Sequence, residues 1–181
     1  MNKLNDSNEL TANPKIWILL ATFNGEKFLP EFLNSLLINE YTNWTLLAYD
    51  DCSTDHTKSL LNIFLSQQPG KLVWAEANKP AENKGAKEAF SLLCQSALNR
   101  SSAADLFMFA DQDDIWLPNK IRKLVELYQE QNSTLTPTLI HSDVSVVDAH
   151  GDQISNSLFA FQNTNPEADN LEQLLVQNVV T

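Results

Sequence analysis

Glycine is scarce in this 181-residue chain: Gly25, Gly70, Gly85 and Gly151 are the whole set. Neither G-x-G-x-x-G nor the P-loop G-x-x-x-x-G-K can be written with them, so a glycine-rich phosphate cradle is excluded. Cysteine is scarcer still. Cys52 and Cys94 allow one pairing at most, with no disulfide framework and no C-x-x-C spacing, and reduced thiols of a cytoplasmic protein are the expectation. The three histidines, His56, His141 and His150, have no metal spacing among themselves, and no G-x-S-x-G elbow exists for a hydrolase. No apolar run approaches the ~20 residues that a helix needs to cross a bilayer. Basic residues are few, 12 against 23 acidic ones, for a net charge of -11. That charge repels a nucleic-acid backbone, so no nucleic-acid partner is expected, and an anionic ligand would need a metal ion or local amide donors.

What is present is a regular alternation. The stretch Met1 to Asn13 is polar, lacks the basic and apolar regions of a secretory signal, and reads as a flexible tail. From residue 14 to 181 a single domain is expected from length. Ile16 to Ala21 forms a continuous apolar run, as a strand covered on both faces requires. Phe28, Phe32, Leu33, Leu36 and Leu37 then recur at helical spacing, with Pro30 tolerable in a first turn. Strands are predicted again at Trp44 to Tyr49, Leu72 to Ala75, Leu106 to Ala110 and from Leu139-Ile140-His141 onward. Helices are predicted at Thr57 to Ser66, after Gly85, after Pro118, and in a short pattern at Leu171, Leu174 and Leu175. Strand–helix alternation of this kind predicts an α/β fold, a mostly parallel sheet with helices on both faces.

Ligands of open parallel sheets bind outside the carboxyl ends of the strands, and the polar clusters fall there. The first strand runs into Thr22-Phe23-Asn24-Gly25, the second into Asp50-Asp51-Cys52-Ser53-Thr54-Asp55, and the fourth into Asp111-Gln112-Asp113-Asp114. Ser53, Thr54 and Asp55 suit helix capping. Two adjacent carboxylates exceed what a cap needs, which favours a ligand role for Asp51. Asp111, Asp113 and Asp114 crowd like charges, and such crowding raises carboxyl pKa values or demands a cation. Mg²⁺ or Mn²⁺, bound by carboxylates together with waters or phosphate oxygens, answers that demand. Lys84 and Lys87 flank Gly85 and would meet a diphosphate, or would simply be solvated at a helix start. His141, after apolar residues, reads as packed.

These clusters, with Asn83-Lys84-Gly85 and with Ile115-Trp116, Pro118 and Lys120 behind the third, resemble the donor-binding half of family 2 inverting nucleotide-sugar glycosyltransferases. The later His141-Ser142-Asp143, Val147-Asp148 and Gly151 are similar to bacterial rhamnosyltransferase-like polysaccharide transferases. The resemblance implies the Rossmann-like GT-A nucleotide-diphospho-sugar transferase fold. It places Thr22, Phe23 and Asn24 beside the nucleoside, and gives Asp51 a hydrogen bond from a uracil- or thymine-like base. Asp111-Gln112-Asp113 becomes the D-x-D motif, with Asp113 the direct metal ligand and Asp111 at the ribose or an outer-shell water. Two positions depart from the family pattern: Cys52 stands where Gly or Asn is common in the turn, and Phe90-Ser91 where an Arg-Asn pair is common, leaving Lys84 or Lys87 for the diphosphate.

The implied activity is sugar transfer with inversion from a UDP- or dTDP-sugar donor to a saccharide or lipid-linked acceptor, metal-assisted, in cell-surface polysaccharide synthesis. It carries a cytoplasmic location, with peripheral association at the inner face of the membrane. The base that deprotonates the acceptor is expected beyond Thr181, because no late carboxylate fits its motif. Two alternatives stay open: nucleotide-sugar binding without turnover, and phosphotransfer through Asp51 or Asp111.

Overall fold

The computed structural model describes residues 13–75, 82–100, 105–130 and 138–165. It divides into two compact units, Met1–Thr134 and Leu135–Thr181.

The first unit is built on strand β1 (Ile16–Thr22). Parallel β2 (Trp44–Asp50) pairs with it from Ile16↔Trp44 to Thr22↔Asp50, and parallel β4 (Leu106–Ala110) from Ile16↔Leu106 to Leu20↔Ala110. The short β3 (Leu72–Trp74) adds to β2, giving the order β3-β2-β1-β4. Side chains alternate across the pleat, and each face has its own core. Ile16, Ile18 and Leu20 pack with Leu46 and Ala48 against α1 (Leu29–Leu37), α2 (Thr57–Gln67) and α4 (Lys120–Glu130), through Phe32, Leu36, Leu61, Phe64, Ile121 and Val125. On the other face Trp17, Leu19, Leu47 and Tyr49 meet α3 (Ala86–Leu98) through Ala89, Leu93 and Ala97. Helices therefore cover both faces, as the alternation predicts. Pro30 does sit in the first turn of α1, where its missing N–H costs nothing.

β4 departs from its all-apolar appearance. It ends the sheet among the described residues, and Phe107 and Phe109, on the α3 face, are 39% and 55% exposed. Phe109 instead stacks edge to face on Phe90 with centroids 5.7 Å apart.

In the second unit, β5 (Val146–Val147) pairs antiparallel with β6 (Gln153–Ser155). The turn between them closes on Asp148, whose Oδ1 accepts from the backbone N–H groups of His150 and Asp152. A short helix α5 (Leu158–Gln162) begins at the Ser157 cap. Residues 138–145, including Leu139-Ile140-His141, form no strand, so the fifth parallel strand expected there is corrected to this small hairpin. Leu139 is 66% exposed: two apolar residues and a histidine without a partner strand gain too little burial to hold a ladder. The tail at residues 1–12 and the helix expected around Leu171 lie outside the described residues.

Leu46, fully buried in β2, and Phe109 test this division of the sheet. Leu46→Ala is expected to lower unfolding free energy by about 2–5 kcal/mol in denaturant titration, and Phe109→Ala by no more than about 1.5 kcal/mol.

Candidate functional site at the carboxyl rim of the sheet

All strands of the main sheet are parallel, so β1, β2 and β4 release their loops at one rim. The chain steps outward from β1 to β2 to β3 and then returns to the opposite side of β1 for β4. That reversal places the topological switch point between β1 and β4, where open α/β sheets bind ligands. Thr22, Phe23 and Asn24 lie on one side of it and Asp111 to Asp114 on the other.

The β1 and β2 loops are interlocked residue by residue. Asn24 N–H donates to Ser53 Oγ (2.9 Å), and Asn24 Oδ1 accepts from Thr54 N–H (2.9 Å). Gly25 N–H donates to Thr57 Oγ1 (2.7 Å) and Glu26 N–H to Asp55 Oδ2 (3.0 Å). His56 returns two contacts to Glu26 Oε2, from its backbone N–H and from Nδ1 (2.9 and 2.7 Å); these hold the Glu26 carboxyl below the usual carboxylate range. Asp55 also accepts from Thr57 N–H at the start of α2, the capping role its position suggests. Thr22 is buried, and its hydroxyl faces β2, bonding Tyr49 O and Asp50 Oδ1.

Asp50 folds the turn that follows, accepting from Ser53 N–H and Ser53 Oγ. Inside that turn Cys52 has φ +66°, so the left-handed backbone for which Gly or Asn is the usual choice is retained with Cys in place. Asp51 is 2% exposed. Its carboxylate accepts from Lys84 N–H (2.9 Å to Oδ2, 3.1 Å to Oδ1) and Gly85 N–H (2.8 Å), while Asn83 Nδ2 donates to its carbonyl. The residue caps α3 from more than thirty positions away, a role outside the local window that capping signals occupy. Gly85 turns into the helix at φ +84°, which a Cβ would resist. Burial and the Asp51 carboxylate push the Tyr49 phenol up to about 12. Lys84 and Lys87 are exposed at this helix start, with Lys84 contributing its amide to Asp51.

The β4 side is different. Among the described residues no hydrogen-bond donor or ion-pairing cation reaches Asp111 or Asp113, although amides are consumed throughout the β2 side. Partial desolvation, then the Asp113 charge, raises the pKa of the exposed Asp111. Burial also raises Asp114, opposed by Lys120. Lys120 lies 4.9 Å over the Trp116 ring and is itself lowered by burial. The segment behind is firmly seated: Trp116 is buried edge to face on Phe32, and its backbone N–H donates to Ser35 Oγ (3.1 Å).

No three His, Cys, Asp or Glu side chains among the described residues converge as a complete metal-ligand set. Asp111 and Asp113, with no donor among the described residues, nevertheless fit a Mg²⁺ or Mn²⁺ ion that takes one or two protein ligands and completes its shell from phosphate and water. Gln112, between the two, is a residue that sequence reading passes over: its Oε1 accepts from Phe23 N–H (3.1 Å) and its Nε2 donates to Phe23 O (3.0 Å). Only the crowding of Gly25 against it could have signalled this, and that crowding exists in three dimensions alone.

A mostly parallel α/β sheet with helices on both faces defines a Rossmann-like domain, and comparison with solved structures makes it a GT-A fold. Mannosyltransferase PcManGT from Pyrobaculum calidifontis, solved with GDP-Man and Mn²⁺, superposes with TM-score 0.55 at 20% identity over 76% of this chain and 36% of that one. The profile for Glycosyl transferase family 2 matches residues 17–177, and the chain belongs to that family. Relatives include the UDP-Glc:alpha-D-GlcNAc-diphosphoundecaprenol beta-1,3-glucosyltransferase WfgD of Escherichia coli, 31% identical over 64% of this chain and 41% of that protein. The dTDP-rhamnosyl transferase RfbG of Shigella flexneri is 30% identical over 59% and 36% respectively. The chain thus spans less than half the length of these relatives. Among the described residues no helix is long and apolar enough to cross a membrane.

Two substitutions test the rim. Asp51→Ala removes the acceptor of two part-buried amides and is expected to cost about 1–3 kcal/mol, with loss of far-UV helical signal on α3. The raised pKa of Asp111 means that the folded state holds this proton more firmly than the unfolded one, whose carboxyl titrates near 3.8. Its contribution is therefore favourable below 3.8 and is lost as pH rises through the raised value. Asp111→Asn should accordingly raise the melting temperature at pH 7, by a margin that shrinks as the pH is brought down toward 3.8.

Proposed function

We propose that this chain provides the donor-nucleotide part of an inverting glycosyltransferase that moves a sugar from a UDP- or dTDP-sugar to a saccharide or lipid-linked acceptor in bacterial cell-surface polysaccharide synthesis. The observation that carries the reading is the family match from residue 17 to 177 together with uncompensated Asp111 and Asp113 at the switch point. The names of WfgD and RfbG, which give UDP-Glc and dTDP-rhamnosyl transfer, support the donor class. The lipid-linked diphosphate in the WfgD name supports an acceptor at the cytoplasmic face of the membrane, with peripheral association there.

In this reading Phe23 and Asn24 border the nucleoside, with the buried Thr22 at the end of β1 anchoring them to β2 through its hydroxyl. Asp51 fixes the amides that open α3 and keeps lone pairs that an imide N–H can meet. Lys84 and Lys87 stand at the same helix start for the diphosphate. Asp113, exposed and without a partner among the described residues, is the direct holder of Mg²⁺ or Mn²⁺, and Asp111 a holder through water. When bound, the ion offsets diphosphate charge and eases departure of the leaving group. The acceptor oxygen bonds to the anomeric carbon as the bond from that carbon to the diphosphate breaks, and the acceptor proton goes to a carboxylate base.

The described carboxylates of the second unit do not offer that base in Asp143 or Asp148. Asp143 accepts from the amides of Val144 and Leu158, and Asp148 closes its own turn. Nucleotide-sugar binding without turnover is the second reading. Isothermal titration with UDP and dTDP, with and without Mn²⁺, tests both: metal-dependent binding is expected, and Asp113→Ala should weaken it by roughly tenfold or more. Equal binding by Asp113→Ala and the unsubstituted chain rejects the site. A radiolabel assay that shows sugar transfer by this chain rejects the second reading.

A further inference from the structure

We propose that Gln112 is a positioning residue whose side-chain amide clips the tip of β1 to the tip of β4, and so sets the spacing between the nucleoside edge of the rim and its acidic edge. The inference rests on the donor-site reading above, and names a residue for which that reading has no task.

Backbone pairing between β1 and β4 ends at Leu20↔Ala110, while β1 continues beside β2 as far as Thr22↔Asp50. Continued at the same register, Gln112 would face Thr22. No ladder bond forms there, and the Gln112 side chain spans the opening instead, accepting from Phe23 N–H at 3.1 Å and donating to Phe23 O at 3.0 Å. A primary amide is the one side-chain group that offers donor and acceptor side by side in the manner of a peptide, so the clip works as one more rung of sheet placed at the switch point. Asn is a methylene shorter, and a Glu carboxylate would set an acceptor against the Phe23 carbonyl.

The second observation is independent. Gly25 does not have a positive φ, so its backbone is open to any residue, yet a Cβ there would lie 2.2 Å from Gln112 Oε1 and 2.6 Å from Gln112 Cδ. The space that glycine leaves is the seat of the clip. Because Gln112 lies between Asp111 and Asp113, any slackening at Phe23 moves the nucleoside edge relative to both carboxylates. Placement errors of this kind are felt in binding and turnover without any lost contact to the ligand.

The test compares the unsubstituted chain with Gln112→Met, which keeps length and removes both hydrogen bonds, and with Gly25→Ala, which keeps Gln112 and removes its seat. UDP affinity in the presence of Mn²⁺ and hydrogen exchange at the Phe23 amide are read for each and for the double variant. Each single variant is expected to weaken UDP about tenfold, the equivalent of one to two neutral hydrogen bonds, and to speed Phe23 exchange. The double variant should be no worse than either single one, since both remove one device. A merely structural residue would shift thermal stability and leave UDP affinity alone. Absence of UDP binding by the unsubstituted chain overturns the donor-site reading itself. UDP binding that survives both substitutions, or losses that add in the double variant, overturns the clip and leaves that reading standing.

Discussion

Strand β1 is paired along both edges and buried on both faces, and the other parts of the first unit take their places from it. Its apolar residues divide by parity between two cores, one closed by α1, α2 and α4 and the other by α3. Since both its neighbours run parallel to it, every loop that matters chemically leaves at the same end. A residue of the β1 core thus supports the site without approaching it: loss of Ile18 or Leu20 would loosen the strand that carries Thr22 and Phe23.

At that rim the acidic residues fall into two populations. On the β1 and β2 loops, Glu26, Asp50, Asp51 and Asp55 accept hydrogen bonds from backbone amides, hydroxyls and the His56 ring, so their charge is stabilised by the fold and serves it. On the β4 side, Asp111 and Asp113 lack such donors among the described residues, and Asp111 resists ionisation. The net charge of -11 therefore overstates how much negative potential a diphosphate meets, and it conceals that the uncompensated part is gathered where a divalent cation can answer it. A site of this kind trades stability for function.

Continuous apolar runs marked β1, β2 and β4, and helical spacing marked α1 to α4, because burial on two faces or on one stripe leaves a local trace in the sequence. Leu139-Ile140-His141 shows the limit of that trace: the composition suits a strand, but a strand is decided by its partner. The three rim clusters were equally plain, since they are contiguous. The tasks of individual residues inside them were not. Asp51 meets amides at Lys84 and Gly85, and Gln112 meets Phe23 across 89 positions, and no periodicity records contacts at that range. Cys52 illustrates the converse, a residue atypical for the turn whose left-handed backbone is kept because Asp50 and Ser53 close the turn around it.

Surface loops ordinarily absorb insertions and deletions. The interlock between residues 24–26 and 53–57 removes that freedom, because its bonds connect successive positions of one loop to nearby positions of the other. A single residue added to either loop would put every later pair out of step, exposing buried donors and shifting Phe23 together with the Asp51 cap. Length in these two loops is hence a shared property. In any descendant of this sequence that keeps the interlock, the two loops can change length only together.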